Sequence, residues 1–452
     1  MFWSTHAIGL LGRFLPVITV GPVNRVKSLF VFSLVLLGSF ASMPLVQISH
    51  AQANAAFNVQ RAGAAWSRTY GGGNVFSVKQ TSDGGYILTG GARILKLDQL
   101  GNIVWQKYYS SGGVVSLADF SAVEQTSDGG YVASGDLYAL KTDSNGNVVW
   151  SMKYYKGHIH TIEQTPDGGY FAVGSFTATG YAPYGWVAKL DAFGNVTWQK
   201  SYSGIQFAEE FFSGQQTSDG GYVVAGWRHN YDPFGDTGQA LVMKLDVDGR
   251  VIWQYLYGTT DSGGRAAYSV RQFSEGGYVV LGRSFNGTAW LLRLDESGGI
   301  VWDKYYPGMN EMVPGQVSLT SDGGYVLSGN DGAGVVVRLD STGGIVWARS
   351  LGGGGFAASV EQTIDGGYIM GGLDFSFRPG YSDVWVVKLT SQGRCCHTVA
   401  DPRQKLSIAE ENTRAVVIPG EYTLSGASIS AIPANVLAVS TNYATLSQCE
   451  HP

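Results

Sequence analysis

Charge is scarce in this 452-residue chain: Asp, Glu, Lys and Arg together make up 14% of it. What there is leans acidic, at net −5. Residues 1–53 hold Arg13, Arg25 and Lys27 and no acid, so the remainder carries 27 basic and 35 acidic residues, net −8. A chain with no basic footprint is excluded from binding nucleic acid through its phosphates. Proline is also sparse, at 13 residues, and glycine follows no three-residue period, which excludes a collagen-like helix. Cysteine occurs only at 395, 396 and 449. The longest early apolar run, Leu29 to Leu37, falls short of the roughly 20 residues of a membrane-spanning helix. There is no His-Glu-x-x-His, no Gly-x-Ser-x-Gly and no Gly-x-x-x-x-Gly-Lys-Ser/Thr, so three common catalytic frameworks are missing.

What is abundant is glycine, 64 residues, and aromatic side chains, 13%. Glycine stands at about twice its usual share. With 44% hydrophobic residues the chain is not of disordered composition. High glycine and aromatic content with little charge indicates many short strands joined by tight turns.

The amino terminus reads as an export signal. Arg25 and Lys27 precede the apolar run, and Ala51-Gln52-Ala53 supplies a small-residue cleavage site. The expected divisions are a signal peptide at 1–53, a repeat domain at 54–396 and a Ser/Thr/Ala-rich tail at 397–452. The product is expected to be secreted, periplasmic or cell-surface associated, with no membrane span after cleavage. In such a compartment Cys449 is free to bridge to Cys395 or Cys396; the odd count otherwise leaves one thiol over or lets the adjacent pair close on itself.

Between these ends one unit recurs: Gln-Thr-Ser-Asp-Gly-Gly-Tyr, then a variable stretch, then Lys-Leu-Asp-x-x-Gly-Asn-x-x-Trp. The tyrosines are Tyr86, Tyr131, Tyr170, Tyr222, Tyr278, Tyr325 and Tyr368, and the tryptophans Trp105, Trp150, Trp198, Trp253, Trp302 and Trp347. Each unit contains four runs with the two-residue alternation of strands. Asp-Gly turns join them in pairs, Asp accepting a backbone hydrogen bond and Gly supplying the positive φ. Four antiparallel strands at this repeat length make a propeller blade. The predicted fold is therefore all-β, a seven-bladed β-propeller. The seventh unit has Thr390 for Asp and His397 where Trp should stand. Ala65-Trp66-Ser67-Arg68-Thr69-Tyr70 reads as the missing fourth strand, so the N-terminal strand is expected to close the ring.

Across about residues 65–394 the chain resembles the secreted seven-bladed propellers with Asp-Gly-Gly-Tyr repeats. The Leu-Asp-x-x-Gly-x-x-x-Trp half is similar to the docking motif of PQQ-like propellers, and the four-stranded units to WD40-like ones. That resemblance implies tryptophans packed between adjacent blades. The vicinal Cys395-Cys396 resembles the adjacent disulfide of some quinoproteins, but the seven units, where those enzymes usually have eight, and the lack of an assignable Asp, Glu and Asn set argue against quinone and calcium. No cofactor and no enzyme activity are expected.

The recurring tryptophans could serve as sugar platforms, but recurrence at one position in every unit is what blade packing demands. Trp186, Trp290 and Trp385 share a slot with Val335, Leu241 and Tyr138 of other units and are expected in the core. Lys96, Lys141, Lys189, Lys244, Arg293, Arg338 and Lys388 are expected to pair locally, each with the Asp two residues on where one is present. The Asp-Gly turns read as caps rather than calcium loops. His158-Ile159-His160, with Glu163 nearby, has two ligands of the three or four that zinc requires. Glu209 and Glu210, adjacent on a strand, should point opposite ways.

Function is expected on the variable loops between the second and third strands. The longest carry aromatics: Phe176, Tyr181 and Tyr184 in unit three, Trp227, Tyr231 and Phe234 in unit four, and Phe375, Phe377 and Tyr381 in unit seven. These nine are the expected ligand-binding residues. The expected role is an exported, monomeric, non-catalytic module that binds a protein or glycan; the alternative is a PQQ-type or other propeller enzyme with its active site in a central pocket.

Overall fold

The computed structural model describes residues 65–395, apart from short internal segments (112–119, 137, 155–156, 178–182, 204–206, 231–237, 259–263, 285–286, 311–314, 353–354 and 379–380), and six short strands between 411 and 447. The export signal expected at 1–53 lies outside the described residues, as do Cys396, Cys449 and therefore any bridge between them. Cys395 packs against the apolar core of the last blades.

The described chain forms seven blades of four antiparallel strands, paired in sequence order from the axis outward. Blade three is representative, with Gly157–Gln164 innermost, then Tyr170–Thr177, Pro183–Leu190 and Val196–Ser203. The N-terminal strand Trp66–Gly72 is the fourth strand of blade seven, with Trp66 opposite Lys388 and Thr69 opposite Trp385. This closes the ring as the sequence indicates.

The two repeat motifs hold neighbouring blades together. Trp105 of blade one lies over Gly146, at φ +75°, in the second turn of blade two. Its Nε1 donates to the Ser144 carbonyl at 3.1 Å, and its ring meets Tyr131 edge-on at 5.7 Å. Four residues on, the Tyr109 hydroxyl donates to the Gly146 carbonyl at 3.0 Å. A Cβ at Gly146 would sit 2.9 Å from the indole, so glycine is required both for its φ and for the close approach. Trp66 docks on Gly101 and Tyr86 of blade one in the same manner. Trp186, Trp290 and Trp385 are buried in the core.

The Asp-Gly-Gly turns are capped as expected. The Asp83 Oδ1 accepts from the Gly85 N–H at 2.9 Å and from the Thr81 hydroxyl at 2.5 Å. The recurring cations, however, reach a different acid from the one expected. Lys96 pairs with Asp83 across the blade, and Asp98 instead caps the second turn through the N–H groups of Leu100 and Asn102. Lys141–Asp128, Lys189–Asp167, Lys244–Asp219, Arg338–Asp322 and Lys388–Asp365 repeat the arrangement. Hydrogen bonds from Thr165, with Lys189 and Gly169, outweigh partial burial and hold the Asp167 carboxyl down to about 2.

The tail adds a feature that the repeats do not announce. Its strands pair antiparallel with the outermost strands of blades five, four, three, two, one and seven, in that order: Glu411–Asn412, Val416–Pro419, Thr423–Ser425, Ala431–Pro433, Val436–Ser440 and Leu446–Ser447. Sheet twist accumulates at roughly 20–25° per strand, so a blade's outer strand lies far from the direction of its inner one. One segment passing round the rim can therefore pair with successive blades and cover their edges.

Candidate functional site

The innermost strands line a channel, and the repeat defines its rings. At the turn end stands a Gln, followed by Thr except at Gln272-Phe273. Its side chain reaches a neighbouring blade and accepts a turn N–H: Gln125 from Ser82, Gln164 from Ser127, Gln272 from Ser218, Gln362 from Ser321 and Gln80 from Ile364, all at 2.7–2.8 Å. Blade six has Leu319 at this position. Gln216 faces the turn that contains Pro166, which has no N–H to give. The Gln216 Oε1 is buried without a partner among the described residues.

Toward the opposite end, where the inner strands begin, the rings stop repeating. The inner strands of blades three, four, five and seven each carry a register shift, at Ile159/Thr161, Phe211/Ser213, Ala267/Ser269 and Ala357/Ser359. A β-bulge of this kind re-aims side chains. It brings His160, Phe212 and Tyr268 to the channel beside the Thr161, Ser213 and Ser269 that follow them. The glycine four residues after each Gly-Gly-Tyr tyrosine makes room for the bulge. A Cβ on Gly174 would overlap the His158 carbonyl oxygen, and one on Gly226 the Glu210 carbonyl oxygen.

The resulting cavity has a volume of about 420 Å³, within the small-molecule range. Two imidazoles stand at its mouth with ring centroids 4.3 Å apart. His158 Nδ1 is 2.9 Å from Asp136 of blade two, and His160 Nε2 is 3.1 Å from Glu210 of blade four. Asp136 is the one non-glycine residue with positive φ, +32°, among the described residues, and its carbonyl accepts the Ile159 N–H at 3.0 Å. Backbone strain of this kind persists where surrounding bonds over-determine it. Burial, then the neighbouring His160, pulls the His158 imidazole below its ordinary value despite Asp136. Burial disfavours ionised Glu210, but bonds from His160 and from the Ser175 hydroxyl overcome that and hold its carboxyl below the usual range. Rings line the adjoining wall: Phe212 lies 5.2 Å from His160 and 5.0 Å from Tyr268. Deeper in the channel are Lys79, Glu124, Glu163, Arg271 and Gln316.

The loop aromatics are distributed differently. Phe176 is buried and stacks on Tyr184 at 5.3 Å. Trp227 lies 4.8 Å from His229, and Phe375 is 48% exposed. Phe377 and Tyr381 belong to the strands Tyr368–Arg378 and Tyr381–Leu389, while Tyr181, Tyr231 and Phe234 lie outside the described residues. Among the described residues no ring contact joins the loops of blades three, four and seven. Glu209 and Glu210 do point apart, Glu209 buried near Arg228 and Glu210 toward His160.

Sequence reasoning singled out His158 and His160 but not Asp136, Glu124, Lys79 or Arg271. The signal was available. Lys79, Glu124, Glu163, Gln215, Arg271, Ser318 and Glu361 occupy one position, directly before the Gln or its counterpart, and differ in charge where the flanking positions repeat.

No family model and no curated protein matches this chain. Among solved structures, that of a streptogramin B lyase is similar over 72% of this chain and 97% of its own, at TM-score 0.51 and 12% identity. A protein of unknown function from Bacteroides caccae matches 60% of this chain and 92% of its own, at TM-score 0.40 and 13% identity. At 12% identity the likeness to the lyase is one of fold alone.

Proposed function

We propose that this is an exported ligand-binding propeller that takes a small polar molecule into the mouth of its central channel. The observation that carries the reading is the convergence of Asp136, His158 and His160 on one cavity, with Glu210 of a third blade bonded to His160, so that each imidazole is oriented by its own carboxylate. Hydrogen-bonded, pre-oriented polar groups beside aromatic walls are what small-molecule sites use for specificity. By strand order the variable loops lie on the same face as the mouth, so Trp227 and Phe375 would flank the entrance rather than form the site.

A thermal-shift screen of the full chain with soluble sugars, amines and carboxylic acids tests this, since a ligand of the folded state raises the melting temperature by mass action. Any compound that stabilises the wild type should fail to stabilise a His158→Asn/His160→Asn variant. A shift that survives this change and disappears in Trp227→Ala would move the site to the loops.

A second reading, an acid–base enzyme, is supported by the strained Asp136 and its bond to His158. An imidazole kept neutral, with Nδ1–H donated to Asp136, presents Nε2 as a base near neutral pH. Turnover of any stabilising compound, lost in Asp136→Asn with binding retained, would favour it.

A further inference from the structure

On that reading of the channel mouth as the ligand site, we infer that the ligand is an organic cation, an amine on a ring-sized carbon body, received by Glu124 on the channel floor. The argument is one of charge placement. The ring before the glutamines holds two cations and three carboxylates. Lys79 Nζ lies 3.3 Å from Glu361, and Arg271 Nη2 lies 3.5 Å from Glu163. Gln316, with its amide oxygen turned to them, accepts from Arg271 at 3.3 Å and Lys79 at 3.2 Å. Both cations are thus committed. Glu124 is left with no ion-pair partner among the described residues, and its Oε1 accepts the Gln164 N–H at 3.3 Å.

The surroundings carry the same sign. Glu124, Asp136 and Glu163 line the cavity with Lys79 and Arg271, while Glu361 beside Lys79, Glu210 beside His160 and Arg283 over the Tyr268 ring flank it. Leaving the two imidazoles out of the count, these carboxylates outnumber the cations by two. Burial, then repulsion from Glu163, outweighs the Gln164 N–H and the attraction of Lys79 and Arg271 and raises the Glu124 carboxyl to about 7. An ammonium reaching Glu124 would supply the missing counter-charge and displace its proton. Among the described residues no three His, Cys, Asp or Glu side chains come close enough to share a metal ion. The Phe212 and Tyr268 rings suit a carbon body and favour a cation near their faces.

The test uses the full chain and three matched probes, benzylamine, benzyl alcohol and benzoate, read by NMR shifts of the histidine imidazoles. The expected result is saturable shifts of His158 and His160 with benzylamine at least tenfold tighter than with the other two. That preference should be lost in Glu124→Gln. Glu124→Gln should also melt higher than wild type at pH 8, where an unpaired charge is no longer held. If the alcohol or benzoate shifts the same signals as tightly as the amine, the site stands and the cation inference falls. If no probe shifts them and Glu124→Gln does not change melting, both readings fall.

Discussion

The two ends of the central channel are built from the same seven strands by opposite rules. At the turn end the same bonds recur: a glutamine takes a neighbouring turn, an aspartate caps its own turn, and a buried lysine or arginine pairs with that aspartate. At the mouth Asp136, His158, His160 and Tyr268, with Glu210 bonded to His160, each occur once. The repeated end has one requirement, to hold blades in a ring, so most units meet it with the same bonds, Leu319, Gln216 and Glu275 marking the departures. On the proposed reading the other end receives a ligand, which has no sevenfold symmetry. Function in a repeat protein is therefore to be sought where the repeat falls silent within a ring it otherwise fixes.

The comparison breaks most completely if the frame is opened. Deleting residues 54–72 removes the strand opposite Tyr381–Leu389 and the Trp66 dock, and should abolish the cooperative melting transition; an unchanged melting curve would contradict closure. Trp150→Ala removes the indole over Gly194 and its bond to the Ala192 carbonyl, and should cost about 3 kcal/mol in denaturant unfolding. Gly174→Ala joins the two ends of the comparison, because its methyl needs the space of the bulge that aims His158 and His160. It should cost about 1–3 kcal/mol and shift both imidazole signals. The smallest effect compares two glutamines. Gln125→Leu loses the Ser82 N–H bond and should cost about 1 kcal/mol. Gln216→Leu loses no such bond, since Pro166 faces it, and should cost measurably less in the same assay.

The frame was legible because its chemistry is local and repeated. Asp-Gly turns, alternating strands and the Trp66 segment each carry their meaning within a few residues, and repetition supplied the rest. The lysine partners were misread because Asp98 is near Lys96 in sequence, whereas the hairpin brings Asp83 to it across the blade. The tail's path round the rim depends on outer edges that no single unit describes. The site was half legible. His158-Ile159-His160 stood out as a motif, but its partners Asp136 and Glu210 come from neighbouring blades, and strict alternation gives no sign of the bulge that turns His160 inward.

The central claim is that the mouth is a built, coupled site rather than a chance meeting of exposed groups. NMR pH titration of the histidine imidazoles in the wild type and in His160→Gln tests it most directly. The account predicts that His158 titrates below an ordinary histidine and moves upward when its neighbour His160 is replaced. Ordinary titration of His158, indifferent to that replacement, would contradict it.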